Sequence, residues 1–238
     1  MKTLGIYYIA TSNYCSGFPH FVKNLHLFAP EFKKYVIILS DGLSEWDGKC
    51  ISNIEYKVIH IDHYPWPIIA LFKFYNIYKY KQDFDYIMYL NAESQFNPYW
   101  SGNFWSIFSQ NKLTLSRHPQ SNLLEIYDGE RFNNYPKNNT ACYISPDKQF
   151  TYVCAGLVFG PSNLFFKMCK DINELIKTDL MGHFIPMWHD ETYLNYWRLN
   201  NLDITWISPI KLLTCGFSKI SPFGLINSFI KDKYEKRN

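Results

Sequence analysis

Short apolar runs alternate with helix-spaced stretches through the first half of the chain. Leu4–Ala10 is a continuous apolar run ahead of a loop rich in Ser, Gly and Asn, Thr11–Pro19, and it predicts a buried strand. In His20–Ala29 the apolar residues Phe21, Leu25 and Phe28 recur at helical spacing. Lys34–Ser40 and Glu55–Ile61 are again strands, the first ending in the turn pair Asp41-Gly42. Pro67–Tyr80 predicts a long aromatic helix with Leu71, Phe74, Tyr75 and Tyr78 on one stripe. Tyr86–Asn91 is a strand that runs into Asn91-Ala92-Glu93.

This β-α-β-α-β order implies the α/β class with a mostly parallel, doubly wound sheet. Ligands of such sheets bind beyond the C-terminal strand ends. The loop after Ile9 and the one at Asn91-Ala92-Glu93 therefore face one crevice. The second half is less regular, punctuated by Asn97-Pro98, His118-Pro119 and Asp128-Gly129. Gln149–Gly160 predicts a strand that breaks at Ala155-Gly156. A glycine there marks a bulge, a ligand's close approach or tight packing on a neighbouring strand. Asn163–Lys177 is helical with Ser162 as its cap, and Ile204–Ile207 is a short strand. No repeat, low-complexity tract or linker divides the chain, so residues 1–238 read as a single domain.

Composition adds three constraints. The 238 residues include 19 Tyr, 19 Phe and 7 Trp. Aromatic faces suit carbohydrate, although an A/T-rich coding sequence enriches the same residues. A net charge of +3 is compatible with an anionic small molecule or an anionic membrane surface, and is too weak to argue for nucleic acid. The 6 Cys show neither CxxC nor Cys/His ligand spacing and read as reduced thiols of a cytosolic protein without a structural zinc. No stretch has the apolar length of a membrane span, and the N-terminal run lacks an export signal's cleavage site.

The densest candidate chemistry is Met187-Trp188-His189-Asp190-Glu191, followed by Leu194 and Trp197 on one helical face. A carboxylate in a first helical turn is held ionised by the helix dipole, which suits attack on, or stabilisation of, a cation. Taken alone, the stretch is equally an ordinary acidic helix start. Asn91 and Glu93, at a strand end, offer one amide carbonyl and one carboxylate, a weaker site for a hard cation than two Asp. The tail bears Lys231, Lys233, Lys236 and Arg237, a candidate clamp for a diphosphate or simply a solvated terminus.

In order and spacing, several of these motifs resemble glycosyltransferase family 6, which includes the blood-group A and B transferases, the α1,3-galactosyltransferase and shorter bacterial members. The match runs from Gly5-Ile6-Tyr7-Tyr8-Ile9-Ala10-Thr11 through Trp66-Pro67, Asp85-Tyr86, Asn91-Ala92-Glu93, Arg117-His118-Pro119 and Tyr152–Gly160. It is strongest at Ile185–Glu191 with Leu194-Asn195. The resemblance implies a GT-A fold, with a nucleotide-binding half over 1–93 and an acceptor and catalytic half over 94–238. It implies retaining transfer of N-acetylgalactosamine or galactose from a UDP-sugar to the 3-hydroxyl of galactose. Glu191 then looks like the carboxylate beneath the anomeric carbon, and Asp190 like a donor-sugar ligand. Trp188, His189 and His118 look like acceptor contacts. Tyr8, Ala10 and Tyr14 fall where the family holds uridine. Cys154, Ala155 and Gly156 fall where it selects the donor sugar, and Gly156 leaves room for a 2-acetamido group.

The chain departs from the family in three places. Asn91/Glu93 stands between the Asp-x-Asp of mammalian members and the Asn-x-Asn of many bacterial ones. A divalent ion such as Mn2+ is therefore disfavoured, and no cofactor is expected. Lys73 replaces an Arg that contacts the donor, and loses the bidentate fork. Leu212–Ile226 does not match the acceptor-binding segment, although Lys231 and Lys233 fall near basic residues that close over the diphosphate. The implied partners are a UDP-sugar and a galactose-terminated glycan or glycolipid, fucosylated or plain, used at the cytoplasmic face of a membrane. A galactose-specific enzyme and a non-catalytic sugar-binding protein on the same scaffold are the competing expectations.

Overall fold

The computed structural model describes residues 1–23, 25–43, 54–92, 94–96, 103–117, 140–208 and 226–228. Its frame is a seven-stranded sheet. The first three strands are β1 (Lys2–Ala10), β2 (Phe32–Ser40) and β3 (Ile54–His60). β4 (Tyr86–Leu90), β6 (Leu113–Arg117), β7 (Val153–Pro161) and β8 (Thr205–Ser208) complete it. The spatial order is β3-β2-β1-β4-β7-β6-β8. β1, β2, β3 and β4 are mutually parallel, β6 pairs parallel with β8, and β7 alone runs against its neighbours. A separate pair joins β5 (Ser94–Phe96) to β9 (Ile226–Ser228). The fold is therefore α/β with a mostly parallel sheet, as expected. The four N-terminal strands lie where the apolar runs put them, because a parallel strand covered on both faces needs an unbroken apolar sequence.

Both faces are covered. Leu4, Ile6, Tyr8 and Ala10 point to one apolar cluster with Phe18, Phe21, Phe28, Phe96 and Phe104. This side carries α1 (Phe18–Val22) and α4 (Phe104–Ile107). Tyr7 points to the other cluster, with Phe74, Ile77, Phe165, Ile172, Tyr193 and Trp197. These belong to α3 (Lys73–Lys79), α5 (Ser162–Met181) and α6 (Asp190–Leu199).

Three helix expectations are corrected. The helix expected over His20–Ala29 is only α1; it stops where Lys23 takes an extended ψ of 129°, and Leu25 and Phe28 follow in turns. The helix expected over Pro67–Tyr80 is two pieces, α2 (Ile68–Leu71) and α3, broken at Phe72. Ser162 does not cap α5 but begins it, after Pro161, with no side-chain cap bond. The loop expected over Thr11–Pro19 contains a short 3-10 helix, Ser12–Gly17.

Two features of β7 position the site. Thr114 and Leu115 face Phe159 and Val158, whereas Ser116 and Arg117 face Cys154 and Val153, so Ala155, Gly156 and Leu157 have no β6 partner. This is the bulge that Gly156 foreshadowed. Asn91 N–H donates to the Gly156 carbonyl at 2.9 Å, on the β4 side. Just before the bulge, the fully buried Asn195 of α6 takes a partner strand's place. Its Oδ1 accepts from Val153 N–H at 2.9 Å, and its Nδ2 donates to the Val153 carbonyl and the Glu191 carbonyl, each at 2.8 Å. Asn195→Ala leaves the Val153 peptide groups unpaired and should cost about 3 kcal/mol. Urea denaturation checks this as a lowered midpoint at unchanged slope.

Candidate active site

A cavity of about 450 Å3 opens over the C-terminal ends of β1 and β4, the crevice that parallel topology predicts. Ile9, Thr11 and Tyr14 line it from β1 and the segment after it, and Tyr89, Asn91 and Ala92 from β4. Trp66, Ile69, Ala70 and Lys73 form another wall. Ala155 comes from the bulge, and Met187, Trp188, His189, Asp190 and Glu191 from the start of α6.

The acidic pair sits in the first turn of α6 as expected, with His189 at the cap. His189 has φ 48° and ψ −122°, a conformation that costs a non-glycine residue about 1–3 kcal/mol and is typical of functional sites. Its ring meets the exposed Trp66 edge to face at 4.7 Å. Burial lowers the His189 pKa, favouring the neutral imidazole, and nearby Asp190 opposes that shift.

Lys73 is buried and forms an ion pair with buried Asp190. Its Nζ also donates to the Ala155 carbonyl at 3.0 Å and lies 4.8 Å from the Tyr89 ring centroid. Burial alone would lower the Lys73 pKa; Asp190, then Tyr89 and Glu191, outweigh it and hold the ammonium charged. The Glu191 carboxylate is gripped on both oxygens: Ala155 N–H donates to Oε1 at 3.0 Å, and the Tyr152 hydroxyl donates to Oε2. The Glu191 pKa is nevertheless raised. Burial and the Asp190 charge outweigh the Tyr152 and Ala155 hydrogen bonds and Lys73. This net shift runs against the expectation that the first-turn position favours the ionised form.

The bulge explains how one residue serves both groups. Ala155 has no β6 partner, so its N–H is free for Glu191 and its carbonyl for Lys73. A regular antiparallel ladder would consume such groups.

Asp190, Glu191, Trp188, His189, Lys73, Asn91, Ala155 and Tyr14 of the expected site therefore meet at one cavity. Tyr8, Ala10 and Cys154 do not line it. They are buried in the apolar cluster on the other face; the Tyr8 hydroxyl donates to the carbonyls of Tyr14 and Ala92, and the Cys154 thiol lies 2.9 Å from the Ser116 hydroxyl. Gly156 contributes its carbonyl to Asn91 rather than a lining surface. Glu93, His118, Lys231 and Lys233 lie outside the described residues. As to a metal, Asn91 Oδ1 faces the cavity region but accepts from the Tyr89 hydroxyl at 3.0 Å. Among the described residues no three His, Cys, Asp or Glu side chains cluster to hold an ion. Sequence reasoning missed Trp66 and Tyr89 in the wall and Tyr152 and Asn195 behind it. Trp66, Tyr152 and Asn195 stand in stretches that carry the resemblance, which gave none of them a role; their contacts join distant segments.

No protein-family model matches the chain. The chain is similar to the O-antigen biosynthesis glycosyltransferase WbnI of Escherichia coli, 27% identical over 207 residues that cover 83% of this chain and 82% of that protein. With the mostly parallel α/β sheet, this similarity supports a glycosyltransferase with a GT-A-like fold.

Lys73→Met should leave Asp190 buried and uncompensated and cost about 3–5 kcal/mol, with Asp190→Asn in the same chain restoring much of the loss. A double-mutant cycle of denaturation midpoints measures the coupling. Additive losses would contradict a direct pair.

Proposed function

We propose that the chain is a retaining transferase. It moves N-acetylgalactosamine, or galactose, from a UDP-sugar to the 3-hydroxyl of a galactoside in α linkage. The observation that carries this reading is the oriented carboxylate of Glu191 at a cavity beside a second, charge-balanced acid. In the proposed reaction the bond from the anomeric carbon to the β-phosphate breaks and its electron pair leaves with UDP. The ionised Glu191 faces the cation that develops, as a nucleophile or as an electrostatic partner. The acceptor hydroxyl then bonds to the same carbon, displacing the Glu191 carboxylate where it has bonded there, and its proton passes to the departing diphosphate. Trp188 and Met187, both about half exposed at the rim, offer apolar surface to the acceptor sugar.

Lys73 is committed to Asp190, so its part in this reading is to hold Asp190 in place for the donor sugar's hydroxyls. Charge on the departing UDP falls to Lys231 and Lys233, without a metal. Among the described residues no helix is long and apolar enough to cross a membrane. An acceptor presented at a membrane's cytoplasmic face, such as a lipid-linked O-antigen precursor, suits the net charge of +3 and the name of the relative. A purely sugar-binding role gives no reason to bury Asp190 and half-bury a second acid directly beside it, which is costly.

Glu191→Gln should lower kcat by about two orders of magnitude or more while UDP affinity stays within about threefold. Unchanged turnover would sink the assignment. Because Glu191 acts ionised and its pKa is raised, kcat should fall on acidification at a higher pH than an ordinary carboxylate would give. Turnover should survive a chelator; loss reversed by Mn2+ would return a metal to the mechanism. UDP release from UDP-N-acetylgalactosamine and UDP-galactose, with plain and fucosylated galactosides, reads all three outcomes.

A further inference from the structure

The start of β7 is joined to the start of α6 by side chains. Asn195 holds Val153, and Glu191 holds Ala155 and Tyr152. Tyr152 is itself buried in a small apolar cluster with Ile144 and Phe150, against Tyr196 and Leu199. Phenylalanine would fill that cluster equally well. The phenol oxygen is therefore the part of Tyr152 that packing does not explain, and it is directed at Glu191 Oε2.

We propose that Tyr152 is a positioning residue whose hydroxyl fixes the orientation of the Glu191 carboxylate at the cavity. This rests on the proposed role of Glu191. Two donors from one end of β7 reach the two carboxylate oxygens, the backbone N–H of Ala155 in the bulge and the side-chain hydroxyl of Tyr152 just before the strand. Together they set both the plane of the group and its side-chain rotamer. Each oxygen keeps lone-pair capacity for the reacting carbon. The charged and titratable groups facing Glu191 are Asp190 on its own helix, Lys73 on α3 and Tyr152 itself. Burial, and then the Glu191 charge, push the Tyr152 pKa far above its ordinary value, so the phenol stays protonated and donates to Glu191. Such a donor favours the carboxylate form of Glu191, in opposition to burial and Asp190.

The test compares Tyr152→Phe with wild type in three readouts: UDP release from UDP-N-acetylgalactosamine and UDP-galactose with lactose, its pH profile, and the pH titration of the Glu191 carboxyl carbon by NMR. The expected result is a kcat lower by roughly tenfold or more with donor KM changed less than about threefold. The acid limb and the Glu191 titration should both move to higher pH, because the lost hydrogen bond had stabilised the ionised form. 3-Fluorotyrosine at position 152 keeps the ring, strengthens the donor and should move both to lower pH. It also serves if the phenylalanine variant does not fold. Titration and kcat unmoved by either substitution, or a loss confined to KM, overturn the proposal. Glu191→Gln in the same assay separates the two levels. If it is inactive while Tyr152→Phe behaves as wild type, only the role of Tyr152 falls. If it turns over normally, the role of Glu191 falls too.

Discussion

Two neighbouring carboxylates, Asp190 buried and Glu191 half-buried at the cavity, share the start of one helix, and the surrounding structure is arranged so that they tolerate each other. Coulomb repulsion and burial both work against a second negative charge there. Lys73 balances Asp190 from α3, while a peptide N–H and a phenol grip Glu191 from the β7 region. Removing any of these donors leaves a buried charge with fewer partners, which is why their contributions are coupled rather than additive.

The bulge in β7 makes this arrangement possible. β7 runs against its neighbours, so its first residues lie at the same sheet end as the C-termini of the parallel strands. Three residues there are withdrawn from the β6 ladder, and Ala155 turns both backbone groups to the acid–base cluster. Asn195 holds Val153, just before the gap, and ties α6 to the strand. The rigid sheet thus sets the position of the reacting group, and the rim residues Trp66, Met187 and Trp188 remain exposed for a ligand to meet.

The strands and the acidic stretch were legible in the sequence for physical reasons. Buried parallel strands are continuous apolar runs, and adjacent acids after Trp188-His189 mark a helix start whose next turns bury Leu194 and Trp197. Helix length was not legible at Leu25 and Phe28, because apolar spacing is the same whether the residues cover a core from a helix or from turns. Strand face was the other ambiguity. Tyr8 and Ala10 alternate with Ile9 and Thr11, and only the packed sheet reveals that the latter two meet the cavity. Tyr152 and Asn195 left no local signal, since their partners lie 39 and 42 residues away.

The most direct measurement is a crystal structure of the protein with an intact UDP-sugar bound, using UDP-N-acetylgalactosamine and UDP-galactose in turn. The proposed chemistry predicts the anomeric carbon about 3–3.5 Å from a Glu191 carboxylate oxygen, with Asp190 on the sugar's hydroxyls. A sugar ring bound away from Glu191, or a diphosphate seated against the Asp190–Lys73 pair in its place, would contradict it.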